Sequence, residues 1–127
     1  MIFSASTFEC NPADFEKTYE EELATRTCRT SFYNCLKNSA KQFYLKNDRG
    51  MYIMAGYPWY NVRARDELIA LPGCTLAIDH PADYEAILAT FLDALRKYID
   101  TGEKDRTISE IDLPDIPLWT ILSLIHI

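Results

Sequence analysis

Glycine and histidine are scarce in this chain of 127 residues, at four and two copies. So few glycines leave nothing from which to build a phosphate-cradling loop. Two histidines, His80 and His126, cannot furnish a histidine-rich metal site. The four cysteines, Cys10, Cys28, Cys35 and Cys74, form no C-x-x-C pair. Neither a zinc site nor any other metal or cofactor is therefore expected. Positive charge is also short: 13 Lys and Arg stand against 19 Asp and Glu, a net charge of −6. That balance argues against a nucleic-acid partner, which needs concentrated basic residues. No apolar run approaches the ~20 residues of a membrane span. The start, Met1-Ile2-Phe3, lacks the basic residues of a secretory leader, and Glu9 interrupts the run that follows. The cysteines read as free thiols, which places the chain in a reducing, cytoplasmic compartment. Internal repeats and low-complexity tracts are absent as well.

What remains is an ordinary soluble composition, 48% apolar and 25% charged, long enough for one domain with a core. Asn11-Pro12-Ala13-Asp14 predicts a helix start, with Asn11 as cap and Pro12 at the first position, and a helix to about Arg26. A second helix is predicted from Ser31 to Lys46, with Phe32, Cys35, Leu36, Phe43 and Tyr44 on one face. Cys28 and Cys35, seven apart, would share a face if that stretch were helical. Asn47-Asp48-Arg49-Gly50 is a turn, and Met51–Met54 a short strand or extended run. Asp66 to Asp79 is apolar on nearly every side, which predicts a buried helix that Pro72-Gly73 kinks or interrupts. Pro81 opens an amphipathic helix that ends before Gly102, with a stripe running from Tyr84 through Ile87, Phe91 and Leu95 to Tyr98 and Ile99. Thr101–Asp112 is polar and loop-like, and a new element starts at Leu113-Pro114-Asp115. The expected class is all-α, an inner helix covered by an outer one.

The chemistry concentrates in Ala55-Gly56-Tyr57-Pro58-Trp59-Tyr60, followed by Arg65-Asp66 and Ile69-Ala70-Leu71-Pro72-Gly73. Aromatic faces cover the apolar faces of a sugar ring, while an arginine fork and a carboxylate hydrogen-bond its hydroxyls.

In these segments the chain resembles the glucosidase domain of glycogen debranching enzymes, the amylo-α-1,6-glucosidases. That pattern runs A-G-Y-P-W-F, W-G-R-D, an apolar pair, A-L-P-G and T-L. The chain matches it from Ala55 to Trp59, with Tyr60 for Phe, and again at Arg65, Asp66, Ala70–Gly73, Thr75 and Leu76. It departs at Arg63-Ala64, where the family has Trp-Gly. A second match is Asp115-Ile116-Pro117-Leu118-Trp119, similar to the family's D-A-P-L-W. The resemblance covers about Met51 to Ile121 and implies an (α/α)6 barrel related to glucoamylases. It also implies hydrolysis of α-1,6-linked glucose at the branch points of a glycogen-type α-glucan.

Such hydrolysis needs one carboxylic acid to protonate the leaving oxygen and a second carboxylate to activate water or attack carbon. The resemblance makes Arg65 and Asp66 grips for the terminal glucose, with Trp59, Tyr60 and Trp119 lining the pocket. Asp115 is the candidate general acid, its pKa raised by aromatic and apolar neighbours. Plainer readings stand beside these. Arg65-Asp66 can be a helix-start charge pair, Trp59 and Tyr60 a core anchor for their loop, Asp115 a helix cap, and His80 likewise. Asp112 and Glu110 are nearby alternative acids.

A twelve-helix barrel at about 12 residues per helix and about 6 per connection needs roughly 200 residues. The chain is thus expected to be the opening part of such a barrel, with residues 1–121 belonging to it and the second carboxylate lying beyond. Leu122-Ser123-Leu124-Ile125-His126-Ile127 reads as a non-native tail. Two rivals remain at this stage: a glucoamylase- or trehalase-like α-glucosidase, and a small non-catalytic helical interaction module.

Overall fold

A computed structural model describes residues 11–57 and 59–126. The readings of Met1–Phe3, Glu9, Cys10 and Pro58 lie outside these residues. The chain divides into two compact units after Asn38.

The first unit holds α1 (Pro12–Thr25) and the start of α2 (Phe32–Lys41). The Asn11 side chain accepts from the Ala13 backbone N–H at 3.1 Å, so α1 is capped as its sequence predicts. A buried Asn38 ties down the connection, donating to the Thr27 carbonyl at 2.8 Å and accepting from its N–H at 3.0 Å. Cys28 falls outside α2 and so shares no helical face with Cys35; both are free thiols, as is Cys74.

In the second unit α2 ends five residues before the predicted boundary, and the chain turns into a hairpin of β1 (Tyr44–Asn47) and β2 (Gly50–Ile53). Tyr44 pairs with Ile53 and Asn47 with Gly50, antiparallel. The cause is local: Phe43-Tyr44-Leu45 are good strand formers, and the Asn47 side chain closes the turn by accepting from the N–H groups of Arg49 and Gly50. Gly50 has φ +154, and a Cβ placed there would lie 2.5 Å from the Thr90 side chain. Gly50→Ala should therefore cost about 1–3 kcal/mol through crowding. Urea midpoints of Gly50→Ala with and without Thr90→Ala test this; the second change should recover part of the loss.

After the aromatic loop come β3 (Val62–Arg63) and α3 (Ala64–Cys74), a 3₁₀ turn at Leu76–Ile78, and α4 (Pro81–Thr101). Pro72 lies inside α3, which stops two residues later, where the Thr75 hydroxyl donates to the Leu71 carbonyl. The interruption foreseen at Pro72-Gly73 falls just beyond that pair: α3 runs through both residues and breaks at Thr75. Burial on every side is not found: Leu68 and Leu71 are buried, whereas Ile69 is exposed. α4 has Pro81 in its first turn and Gly102, at φ 74, as its left-handed cap. Its buried stripe is Tyr84, Ile87, Leu88, Phe91 and Leu95, but Ile99 is 72% exposed and falls off it.

The segment read as a loop contains β4 (Ile108–Ser109), parallel to β3, with Ile108 and Ile111 in the core. α5 (Ile116–Leu124) follows. It is tethered through Ser123, whose buried carbonyl accepts from the Tyr84 hydroxyl. The all-α expectation is therefore corrected to a mostly helical fold with two small two-strand sheets, and no barrel is shown among the described residues. No described helix is long and apolar enough to cross a membrane.

Candidate functional site

The parallel pairing of β3 with β4 brings the two motif regions together. Val62 stands opposite Ile108 and Arg63 opposite Ser109, whose hydroxyl donates to the Val62 carbonyl at 3.0 Å. The chain then enters α3 on one side and passes through Glu110–Asp115 into α5 on the other. Side chains from the two arms meet as two arginine–carboxylate forks.

In the first, Arg65 donates through Nε to Asp115 Oδ2 at 2.7 Å and through Nη2 to Oδ1 at 2.9 Å. Trp119, one turn into α5, donates its indole N–H to the same Oδ2 at 3.2 Å. Three donors on one carboxylate make it a strong, ionised acceptor. The hydrogen bonds from Arg65 hold the Asp115 carboxyl below the usual carboxylate range, outweighing partial desolvation. This corrects the raised pKa expected from aromatic neighbours: the guanidinium dominates. Asp115 does occupy the position before α5, yet its side chain makes no capping bond.

In the second fork, Arg63 Nη2 lies 2.7 Å from Glu110 Oε1 and 2.9 Å from Oε2. Asp66 flanks Arg63, 3.6 Å from its Nε, and the Tyr60 ring lies beneath the guanidinium, 5.8 Å from centroid to Cζ. Glu110 has φ 61, a left-handed backbone rarely adopted by residues other than glycine. Strain of this kind persists where surrounding bonds enforce it, here the fork to Arg63.

Of the residues predicted from sequence, Arg65, Asp115 and Trp119 form one bonded cluster. Asp66 joins Arg63 instead and sits in the first turn of α3, where the helix dipole favours a carboxylate. Trp59 is 83% exposed, and Tyr57 and Tyr60 are exposed beside it. A core anchor would be buried, so the anchoring alternative does not describe these rings. The loop is closed at its base by Ala55 N–H to the Asn61 carbonyl (3.1 Å) and Tyr60 N–H to the Gly56 carbonyl (2.9 Å). Asp112 pairs with Lys104 at 2.7 Å, and His80 lies before α4 with Nδ1 3.1 Å from Asp83.

Two residues escaped the sequence reading. Arg63 registered only as a lost Trp, yet its fork to Glu110 fixes the entry to α3. Glu67 was passed over inside an apolar stretch. It is 1% exposed, its Oε1 accepts from the Ile53 N–H at 2.9 Å, and Oε2 has no partner among the described residues. A charged residue on the apolar face of a helix was the available signal for it.

A family model described as Amylo-alpha-1,6-glucosidase matches residues 33–124, well over half of the chain and inclusive of both forks. No curated protein and no solved structure matches it.

Proposed function

Because the chain belongs to the amylo-α-1,6-glucosidase family, glycoside hydrolases that act on α-glucans, we propose that it carries the sugar-gripping wall of an α-1,6-glucosidase site. The observation that supports this reading is the fork from Arg65 to Asp115, which joins two motifs 50 positions apart. A guanidinium and a carboxylate held in one plane offer donors and acceptors to the vicinal hydroxyls of a glucose unit. Trp119 steadies the carboxylate, and the exposed faces of Trp59 and Tyr60 cover the sugar ring. Asp66 supplies a further acceptor.

In this proposal Asp115 is also the proton donor to the glycosidic oxygen. With Arg65 bound it is ionised and can only accept. Proton delivery requires Arg65 to transfer its bonds to substrate hydroxyls while the sugar displaces water, both of which let the carboxyl pKa climb. A second carboxylate takes a proton from the attacking water. That group, and the remaining helices of an (α/α)6 barrel, belong to the complete domain of which residues 1–121 would form the opening part. The preference for α-1,6 branch points over glucoamylase- or trehalase-type linkages belongs to the same proposal.

Titration of the 127-residue chain with isomaltose, followed by tryptophan fluorescence, tests the wall. A saturable shift is expected, weakened about 10–100-fold by Arg65→Ala, the worth of one or two charge-assisted bonds. A shift that is absent, or unchanged in the variant, would leave the helical interaction module as the better account. Release of glucose from a limit dextrin should be undetectable for this chain.

A further inference from the structure

A hollow lined wholly by charged side chains lies outside the two forks. It measures about 720 Å³, is open to solvent and is lined by Arg49, Lys97, Glu103, Lys104, Asp105 and Arg106. Every lining side chain is charged, four positive and two negative, in a chain whose net charge is −6. Three separate segments supply the positive groups: the β1–β2 turn, the last turns of α4, and the stretch after Gly102.

Local pairing leaves the positive side in excess. Glu103 is taken by Lys97 at 3.0 Å, and Lys104 reaches out of the cavity to Asp112 at 2.7 Å. Asp105 keeps its charge, its Oδ1 accepting from the N–H groups of Thr107 and Ile108 at 2.6 and 3.0 Å, so one carboxylate stands against two arginines. Arg49 and Arg106 have no ion-pair partner among the described residues. The dipole at the end of α4 accounts for Lys97, but not for two arginines brought to the same hollow from other segments.

We propose that this cavity is a phosphate-binding site, with the Arg49 and Arg106 guanidinium forks holding a phosphate dianion. Guanidinium geometry matches phosphate oxygens two at a time, and Lys97 adds a point charge. A neutral sugar is a poor fit, because no aromatic platform lines the hollow. A metal cation is repelled by the positive excess. Arg106 also borders a smaller cavity of about 240 Å³ with Met54, Asn61 and Thr107, so a phosphate at Arg106 has room beside it for the body of a sugar phosphate. The ligand chemistry is a phosphate dianion, free or as a sugar phosphomonoester. The site shares no residue with the sugar-gripping wall and does not depend on that reading.

Calorimetric titration of the 127-residue chain at pH 7.5 with inorganic phosphate, and separately with glucose 6-phosphate, tests the proposal. Sodium chloride at matched ionic strength is the reference. Saturable binding is expected with phosphate and not with chloride. Arg49→Ala and Arg106→Ala should each weaken it about tenfold, and Arg29→Ala, an exposed change in the other unit, should leave it unaltered. Glu103→Gln, which frees Lys97, should tighten it a few-fold. Tighter binding of glucose 6-phosphate would identify a sugar phosphate as the ligand, and equal binding the phosphate group alone. Heats matched by chloride, or affinities unchanged in both arginine variants, would overturn the proposal.

Discussion

Glu67→Gln is expected to abolish most of the loss of stability that the wild-type chain suffers between about pH 5 and pH 8. Burial pushes the Glu67 carboxyl up to about 8, with a smaller upward contribution from Asp105 and an opposing one from the Ile53 N–H it binds. In the unfolded chain the group titrates near 4.5. Between those values the folded state keeps a proton that the unfolded state has released, so unfolding gains stability relative to folding as pH rises. The contribution is whole below the unfolded value and is lost as pH climbs to the folded one. Its full span is on the order of 5 kcal/mol. Asp112 and Asp115, held low by Lys104 and Arg65, act with opposite sign and only in the acid range, so the windows separate. Gln keeps the acceptor for Ile53 and removes the titration. Glu67→Ala also removes the acceptor and should lose stability at every pH. Urea midpoints at pH 5 and pH 8 decide the matter: parallel behaviour of wild type and Glu67→Gln would mean that the buried carboxyl is not held neutral. The bond also bears on the site. Ile53 is the last residue of β2 before the aromatic loop, so Glu67 ties the first turns of α3 to the root of the segment that carries Trp59 and Tyr60.

Why Glu67 escaped notice shows where sequence reading gives out. Periodicity reports which face of a helix is apolar, and α4 was legible because its stripe and its caps agree: Pro81, the run from Tyr84 to Leu95, and Gly102. The resemblance to the glucosidase family, carried by its two motifs, likewise brought Arg65, Asp115 and Trp119 into one hypothesis, and the three are bonded together. Local signals failed where long-range pairing decides. Phe43-Tyr44-Leu45 fits a helical face as well as a strand, and only the partner across the Asn47–Gly50 turn selects the strand. The two-residue strands Val62–Arg63 and Ile108–Ser109 have no pattern of their own; each exists because the other is there. The same limit reversed the expected pKa of Asp115. Sequence shows its near neighbours Pro114 and Trp119, whereas the group that sets its charge is an arginine 50 positions away.

Phe91→Ala should cost about 3–5 kcal/mol, against no more than about 0.5 kcal/mol for Ile99→Ala on the same helix. Phe91 is 1% exposed, in the core cluster that also holds Tyr52 and Ile53 of β2, while Ile99 stands in solvent. Truncating the ring removes both its transfer free energy and the contacts of its neighbours, which close-packed strands and helices cannot fully collapse to restore. A loss of that size is about a fifth or more of the stability of a typical domain. It would also loosen β2 at the root of the aromatic loop, so isomaltose binding by the Phe91→Ala chain should weaken along with its stability. Ile99 appears equivalent to Phe91 in the periodic pattern, since both belong to the predicted stripe. The pair therefore separates what periodicity predicts from what packing dictates. Urea unfolding that finds the two variants equally destabilised would place both residues in one buried interface, and the packing of α4 against the hairpin would have to be redrawn. Unequal losses in the expected order would show that the middle of α4, and not its end, is the part packed into the core.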